Sequence, residues 1–155
     1  MFTVRLLTVS PTRRDFVRDG LAFYIERLNR FCDFHLVEVR EPPLKEGDKG
    51  GLEWARRRAT ATLNAKRTGG FASVQVDPKG RQLTSEEFAA WLDEARLTKP
   101  GLDIILGGAV GLEPMKVDLV LSLGPWTLPH ELARLVVIEG LYRAFTIITG
   151  HPYHK

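Results

Sequence analysis

Residues Ser122 to Lys155 read SLGPWTLPHELARLVVIEGLYRAFTIITGHPYHK, and the architecture of the whole chain depends on how this stretch is read. It opens with a tight loop, Gly124-Pro125-Trp126-Thr127-Leu128-Pro129-His130, and closes with Gly150-His151-Pro152-Tyr153-His154-Lys155. Between them Glu131 to Thr149 predicts a helix. Leu132, Leu135, Val136, Val137, Ile138, Leu141, Tyr142, Phe145, Ile147 and Ile148 cover most of its circumference. Such a helix must be covered on nearly every side. A chain of 155 residues has difficulty doing that alone, so contact with a partner subunit is predicted. Gly140 in mid-helix costs about 1 kcal/mol relative to alanine, which close crossing by another backbone would explain. Glu139 and Arg143 stand at i and i+4. They form either a helix-stabilising bridge or a polar pair that faces something polar.

Upstream, strands and helices alternate. Phe2 to Val9, Phe34 to Val39, Phe71 to Val76, Leu102 to Leu106 and Leu119 to Leu123 are β-prone and apolar. Arg13 to Phe31, Leu52 to Lys66 and a segment from Thr84 to about Leu97 have helical period, and a short helix is expected around Glu113 to Val117. Thr84-Ser85-Glu86-Glu87 is a capping box. Asp77-Pro78-Lys79-Gly80 reads as a turn, and Arg40 to Gly51 as a loop. The alternation predicts an α/β fold, a mainly parallel sheet with helices on both faces, in one domain.

Composition narrows the function. No apolar run is long enough to span a membrane, and no signal peptide is expected. Cys32 is the single cysteine, so a reducing, cytoplasmic setting fits. Without CxxC or HExxH spacing no metal site is expected. Net charge is +3, with arginine dominating the cations, which is compatible with RNA without demanding it. The arginines of the first helix and the run Arg56-Arg57-Arg58 in the second are either solvated faces or phosphate-contacting ridges.

In an open parallel sheet, ligands bind at the carboxyl ends of strands. Three such ends carry unusual turns here: Val76-Asp77-Pro78, Gly107-Gly108, and Leu123 to Leu128. Glycines there allow close approach and suit a ligand read by main-chain hydrogen bonds, such as an adenine ring. Neither a dinucleotide fingerprint nor a Walker A motif is present. The tail from His151 reads by itself as a disordered end, although Tyr153 and His154 offer a stacking ring and a titratable nitrogen.

Several motifs together resemble one family. They are Leu106-Gly107-Gly108-Ala109-Val110-Gly111-Leu112, Ser122-Leu123, Thr127-Leu128-Pro129-His130, Leu141-Tyr142-Arg143-Ala144 and His151-Pro152-Tyr153-His154-Lys155. In length, element order and both ends the chain resembles the RlmH family, bacterial 23S rRNA pseudouridine-N3 methyltransferases of the SPOUT superfamily. The resemblance implies a trefoil knot at the C-terminal half, a homodimer, and S-adenosylmethionine (AdoMet) as cofactor. It implies cofactor contacts from Val76, Gly107, Gly108, Leu123, Gly124, Pro125, Trp126, Thr127 and Leu128. Substrate-side or catalytic residues would be His130, Arg134, Glu139, Arg143, Tyr153 and His154, with the tail of one subunit completing the other's site. The partner would be the assembled ribosome. A SPOUT methyltransferase with another RNA target, or a non-catalytic ribosome-binding module, are the alternatives.

Overall fold

The computed structural model describes residues 1–41 and 51–155. The predicted loop from Arg40 to Gly51 therefore lies largely outside the described residues. Five strands form one parallel sheet: β1 Thr3–Val9, β2 Asp33–Val39, β3 Ala72–Gln82, β4 Gly101–Leu106 and β5 Leu119–Ser122, in the order β2-β1-β4-β3-β5. The helices are α1 Asp15–Leu28, α2 Gly51–Ala65, α3 Ser85–Thr98 and α4 His130–Thr149.

The pleat of the strands sorts side chains to the two faces. Val4, Leu6, Val74, Leu102, Ile104 and Leu106 pack with α1, α3 and α4. Leu7, Val9 and Ile105 face the other way, onto Ala59 and Leu63 of α2. Both faces are thus covered, as a parallel sheet requires. Arg5 and Asp103 sit opposite one another in the β1–β4 register. The buried Asp103 accepts the Arg5 Nε–H at 2.8 Å and the Thr68 amide at 2.7 Å, so its charge is paired. Thr84 caps α3 as expected: its hydroxyl accepts the Glu87 amide at 3.1 Å, and Glu87 accepts the Thr84 amide at 3.4 Å.

Four expectations are corrected or narrowed. The short helix at Glu113–Val117 does not form. The side-chain oxygen of Gln75, a buried residue of β3, accepts the Met115 amide at 3.0 Å, and its amide donates to the Glu113 carbonyl at 2.9 Å. Thr60 Oγ1 accepts the Glu113 amide at 2.9 Å. With the backbone satisfied from outside and Pro114 lacking a donor, one helical turn has nothing to gain. Residues 77–80, read as a turn that ends the strand, instead bulge within β3. Val76 and Arg81 both pair with Leu121, and the Lys79 amide is held by Asp77 at 2.8 Å. The crossing expected at Gly140 is not supplied by this chain: among the described residues a Cβ there would meet nothing within 4 Å, which leaves that expectation to a partner copy.

The fourth correction is the tail, which is ordered. Gly150 closes α4 in the left-handed conformation (φ 72°), and the His151 amide reaches back to the Thr146 carbonyl at 2.9 Å. That turn lays Pro152–His154 back along α4. Tyr153 packs edge-on to Tyr142, ring centroids 4.7 Å apart.

Candidate active site

The carboxyl ends of β3, β4 and β5 enclose a cavity of about 520 Å³. Its walls include Val76, Gly107, Gly108, Leu123, Gly124, Trp126, Thr127 and Leu128. Pro125, expected with them, is exposed and does not line it. Asp77, Pro78, Leu106, the turn Ala109 to Leu112, Pro129, His130 and Ala133 complete the lining. Gly107 and Gly108 are needed for different reasons. A Cβ on Gly107 would come within 2.9 Å of Leu112 Cγ, so the turn closes only around glycine. At Gly108 an added Cβ would make ordinary contacts, with Val9 Cβ at 3.4 Å and Glu41 Oε1 at 3.7 Å. Glycine there serves to leave the peptide on the cavity wall unhindered rather than to close the turn. Gly124 has φ 130°, a conformation that strains any L side chain. Ser122 pins it from both sides: its hydroxyl donates to the Gly124 carbonyl at 3.1 Å and accepts the Gly124 amide at 3.2 Å.

The set suits AdoMet chemically. Leu106, Leu112, Leu123 and Leu128 offer apolar walls to a purine, and three unhindered glycine peptides offer donors and acceptors to its edge. Asp77 and Thr127 are available to the polar arms.

A second cluster lies on α4 and the tail. Glu139 Oε1 accepts from Arg143 Nη2 at 2.6 Å, Arg143 Nε at 3.0 Å and the Tyr153 hydroxyl at 3.0 Å. The Arg143 guanidinium lies over the Tyr153 ring, 4.8 Å from its centroid. Burial, reinforced by bonds to Tyr24 and Glu139, raises the Tyr153 phenol, which therefore keeps its proton and serves as a donor. Its bond to Glu139 keeps the Arg143 guanidinium fully charged, pushed above its ordinary value. His154 Nδ1 faces Arg143 Nη1 at 3.1 Å, and Nε2 faces Glu86 at 2.7 Å. Arginine only donates, so Nδ1 accepts and Nε2 carries the proton toward Glu86. The His154 bond holds the Glu86 carboxyl below the usual carboxylate range.

The structure does not bring this cluster into the cavity. A smaller cleft of about 220 Å³, lined by Val136, Glu139, Gly140 and Phe88, separates the two and shares Leu123 with the cavity wall. Arg134 belongs to neither site. Expected on the substrate side, it is wholly buried, donating to the Val9 carbonyl, to Thr12 Oγ1 at 2.8 Å and to Glu38 at 3.0 Å. Burial lowers its pKa, and Glu38 offsets part of the loss. The reason is its place on α4: the i+3 neighbour of Glu131, it faces the β1–α1 loop, where Glu131 itself accepts the Arg13 and Arg14 amides at 2.9 and 3.0 Å.

Some participants were not singled out from sequence. Arg56 donates to the Val110 carbonyl at 3.0 Å and so braces a cavity wall from α2. Glu86 looked like part of a helix cap, and Tyr24 like core; only tail docking brings them to His154 and Tyr153. Cys32 is buried, and burial pushes its thiol up to about 12, so it is no nucleophile. Among the described residues no group of three or more His, Cys, Asp or Glu side chains converges on a point that could hold a metal, and no helix is long and apolar enough to cross a membrane.

Residues 2–154 match the family model described as "Predicted SPOUT methyltransferase". The chain belongs to the SPOUT methyltransferase family. Similar proteins agree over nearly the full length. The "Ribosomal RNA large subunit methyltransferase H" of Gemmatimonas aurantiaca is 38% identical, over 98% of this chain and 99% of that protein. Its namesake in Bifidobacterium adolescentis is 35% identical over 98% and 99%. That of Gloeobacter violaceus is 37% identical over 97% of each. A methyltransferase family implies a methyl donor.

Proposed function

We propose that this protein is an AdoMet-dependent methyltransferase of large-subunit ribosomal RNA, acting at N3 of a pseudouridine in the assembled ribosome. The observation that carries the reading is the main-chain-rimmed cavity at the ends of β3, β4 and β5, in a chain whose relatives are named as ribosomal RNA large subunit methyltransferases. A ribosomal substrate puts the activity in the cytoplasm. In the knotted arrangement of the resemblance, α4 and its tail thread a loop of the same chain.

AdoMet, when bound, supplies a methyl group activated on a sulfonium. The chain's own residues do the rest. The N3–H proton must leave before or as the new N–C bond forms, so negative charge develops on the ring on the way to the transition state. That charge is cancelled when the methyl arrives and the sulfonium becomes a neutral thioether. His130 is the one histidine on the cavity wall among the described residues, and we assign it the proton. Arg143, oriented by Glu139, is the cation that stabilises the ring anion, and Tyr153 offers its face to the extruded base. His154 becomes a base only if Arg143 turns from its Nδ1 toward substrate, since both its nitrogens are engaged as the tail stands.

The two clusters act together across a homodimer. Val136 is exposed on α4, and Leu132, Gly140, Arg143 and Ile147 are half-exposed along the same stripe. A second copy packed there brings its Arg143–Tyr153 unit to the first copy's cavity.

Transfer of labelled methyl from AdoMet to purified ribosomes, with the modified nucleotide identified, tests the reaction. Unlabelled ribosomal RNA sinks it. For the shared site, His130→Ala and Arg143→Ala proteins are each expected to be inactive and, once mixed and re-equilibrated, to regain part of the activity. No recovery means each chain works alone.

A further inference from the structure

The run Arg56-Arg57-Arg58, which the cavity uses only through Arg56, lies at one end of a long groove. Arg57, Ala61 and Asn64 of α2 stand one turn apart and are exposed. They form one wall of an open cleft of about 760 Å³ whose far wall is the extended segment 113–118. Gln75 and Thr60 hold that segment away from helix, so the cleft exists because the predicted short helix does not form. A shallower depression of about 420 Å³, lined by Trp54, Arg57, Arg58 and Thr62, continues it along α2 and shares Arg57 and Ala61 with it.

Cations outnumber carboxylates along this line five to two, Glu113 and Asp118 being the carboxylates. Arg57, Arg58, Arg67, Lys99 and Lys116 face it, and among the described residues none of them is in a salt bridge. Of the two carboxylates in the lining, Asp118 is turned to structural use, accepting the Ser73 amide at 2.8 Å and its hydroxyl at 3.2 Å. Arg67 is held in place by Asn64 at 3.1 Å and by the Lys116 carbonyl at 3.0 Å. At the other end the Arg58 guanidinium lies 5.6 Å from the centroid of the partly exposed Trp54 ring. Cations spaced along a groove with an aromatic at one end are what a nucleic-acid backbone requires. The groove begins at the amino ends of β3, β4 and β5, roughly 15–20 Å from the cavity at their carboxyl ends. Arg56 on α2 joins the two surfaces.

We infer that the α2 groove is an RNA-docking track, which holds phosphates at a distance while the target base enters the cavity. The inference rests on the ribosomal RNA reading. It adds a surface that reads backbone rather than sequence, built by residues that touch neither cofactor nor base.

The test is retention of total ribosomal RNA on the intact protein across a salt series, without AdoMet. Each phosphate contact contributes about 0.7–0.9 to the slope of log K against log salt. Arg57→Gln with Arg58→Gln, and separately Lys99→Gln with Lys116→Gln, are each expected to make the slope shallower by about 1.5 and to weaken binding about ten-fold at low salt. AdoMet affinity by calorimetry and the thermal midpoint should not move. With purified ribosomes the same variants should raise KM and spare kcat. Arg96→Gln, on α3 and paired with Asp93, removes a charge elsewhere and should leave the slope unchanged. A wild-type protein that retains no RNA, or groove variants with the wild-type slope, overturns the groove. Retention with the expected slopes but no methyl transfer to ribosomes overturns the activity and leaves the groove standing.

Discussion

Replacing Arg134 by methionine separates structural support from substrate contact. The guanidinium has no exposed surface and serves Val9, Thr12 and Glu38 at once. Methionine keeps much of the volume but donates nothing. Glu38 retains the Thr12 amide and hydroxyl, while the Val9 carbonyl loses a charged donor and the Glu38 carboxylate loses its counter-charge. The Glu38 side chain is 29% exposed, so the carboxylate left behind is partly hydrated. Losing the charged hydrogen bonds to Val9, Thr12 and Glu38 still costs about 3–5 kcal/mol. Arg134 Nε has no partner among the described residues, so the network is not at its best and the lower end applies. At roughly 2–4 °C per kcal/mol for a chain of this size, the midpoint should fall by about 10 °C. Urea unfolding followed by circular dichroism measures the loss. Adding Glu38→Gln should recover about 1 kcal/mol or more, because the uncompensated charge goes too. Methyl transfer per folded molecule, assayed well below the midpoint, should stay within a few-fold of wild type. If Arg134→Met keeps its stability within about 1 kcal/mol and kcat collapses instead, the side chain reaches substrate and the structural reasoning is wrong.

Gly108→Ala leaves the fold intact, since its Cβ would sit 3.4 Å from Val9, but adds a methyl group to a peptide that lines the cavity. Calorimetry should show AdoMet binding at least five-fold weaker at an unchanged melting temperature; unaltered affinity would mean that this wall does not touch the cofactor. Glu131 is the acid-sensitive contact at the start of α1: the Arg14 amide, followed by that of Arg13, holds its carboxyl below the ordinary value. A depressed carboxylate contributes stability above its unfolded value, roughly pH 4.3, and loses it as pH falls through the folded value. Stability should therefore be level from pH 7 to 5 and fall below about pH 4, and Glu131→Gln should flatten that acid limb; an identical limb would assign the acid sensitivity elsewhere.

Local patterns in the chain were enough to determine the order of the elements, because strand alternation, helical period and the Thr84 cap are written in neighbouring residues. They also marked the glycine turns that line the cavity, because a turn that only glycine can make leaves its mark in the residue type. What neighbours could not decide was every feature set by a distant partner. Gln75 draws residues 113–115 out of helix across the sheet edge, Leu121 takes β3 past its own bulge, and Arg134 is turned from a candidate substrate ligand into a buried strut by Glu38 and Val9. The tail is the clearest case. Pro152, Tyr153 and His154 have no local reason to order, yet Glu139, Tyr142 and Arg143 hold them once the Gly150 turn folds the tail back along α4, and Glu86 joins only once α3 is packed beside α4. Such contacts join residues 11 to 68 positions apart, a separation over which sequence carries no periodic signal, so three-dimensional packing alone determines them.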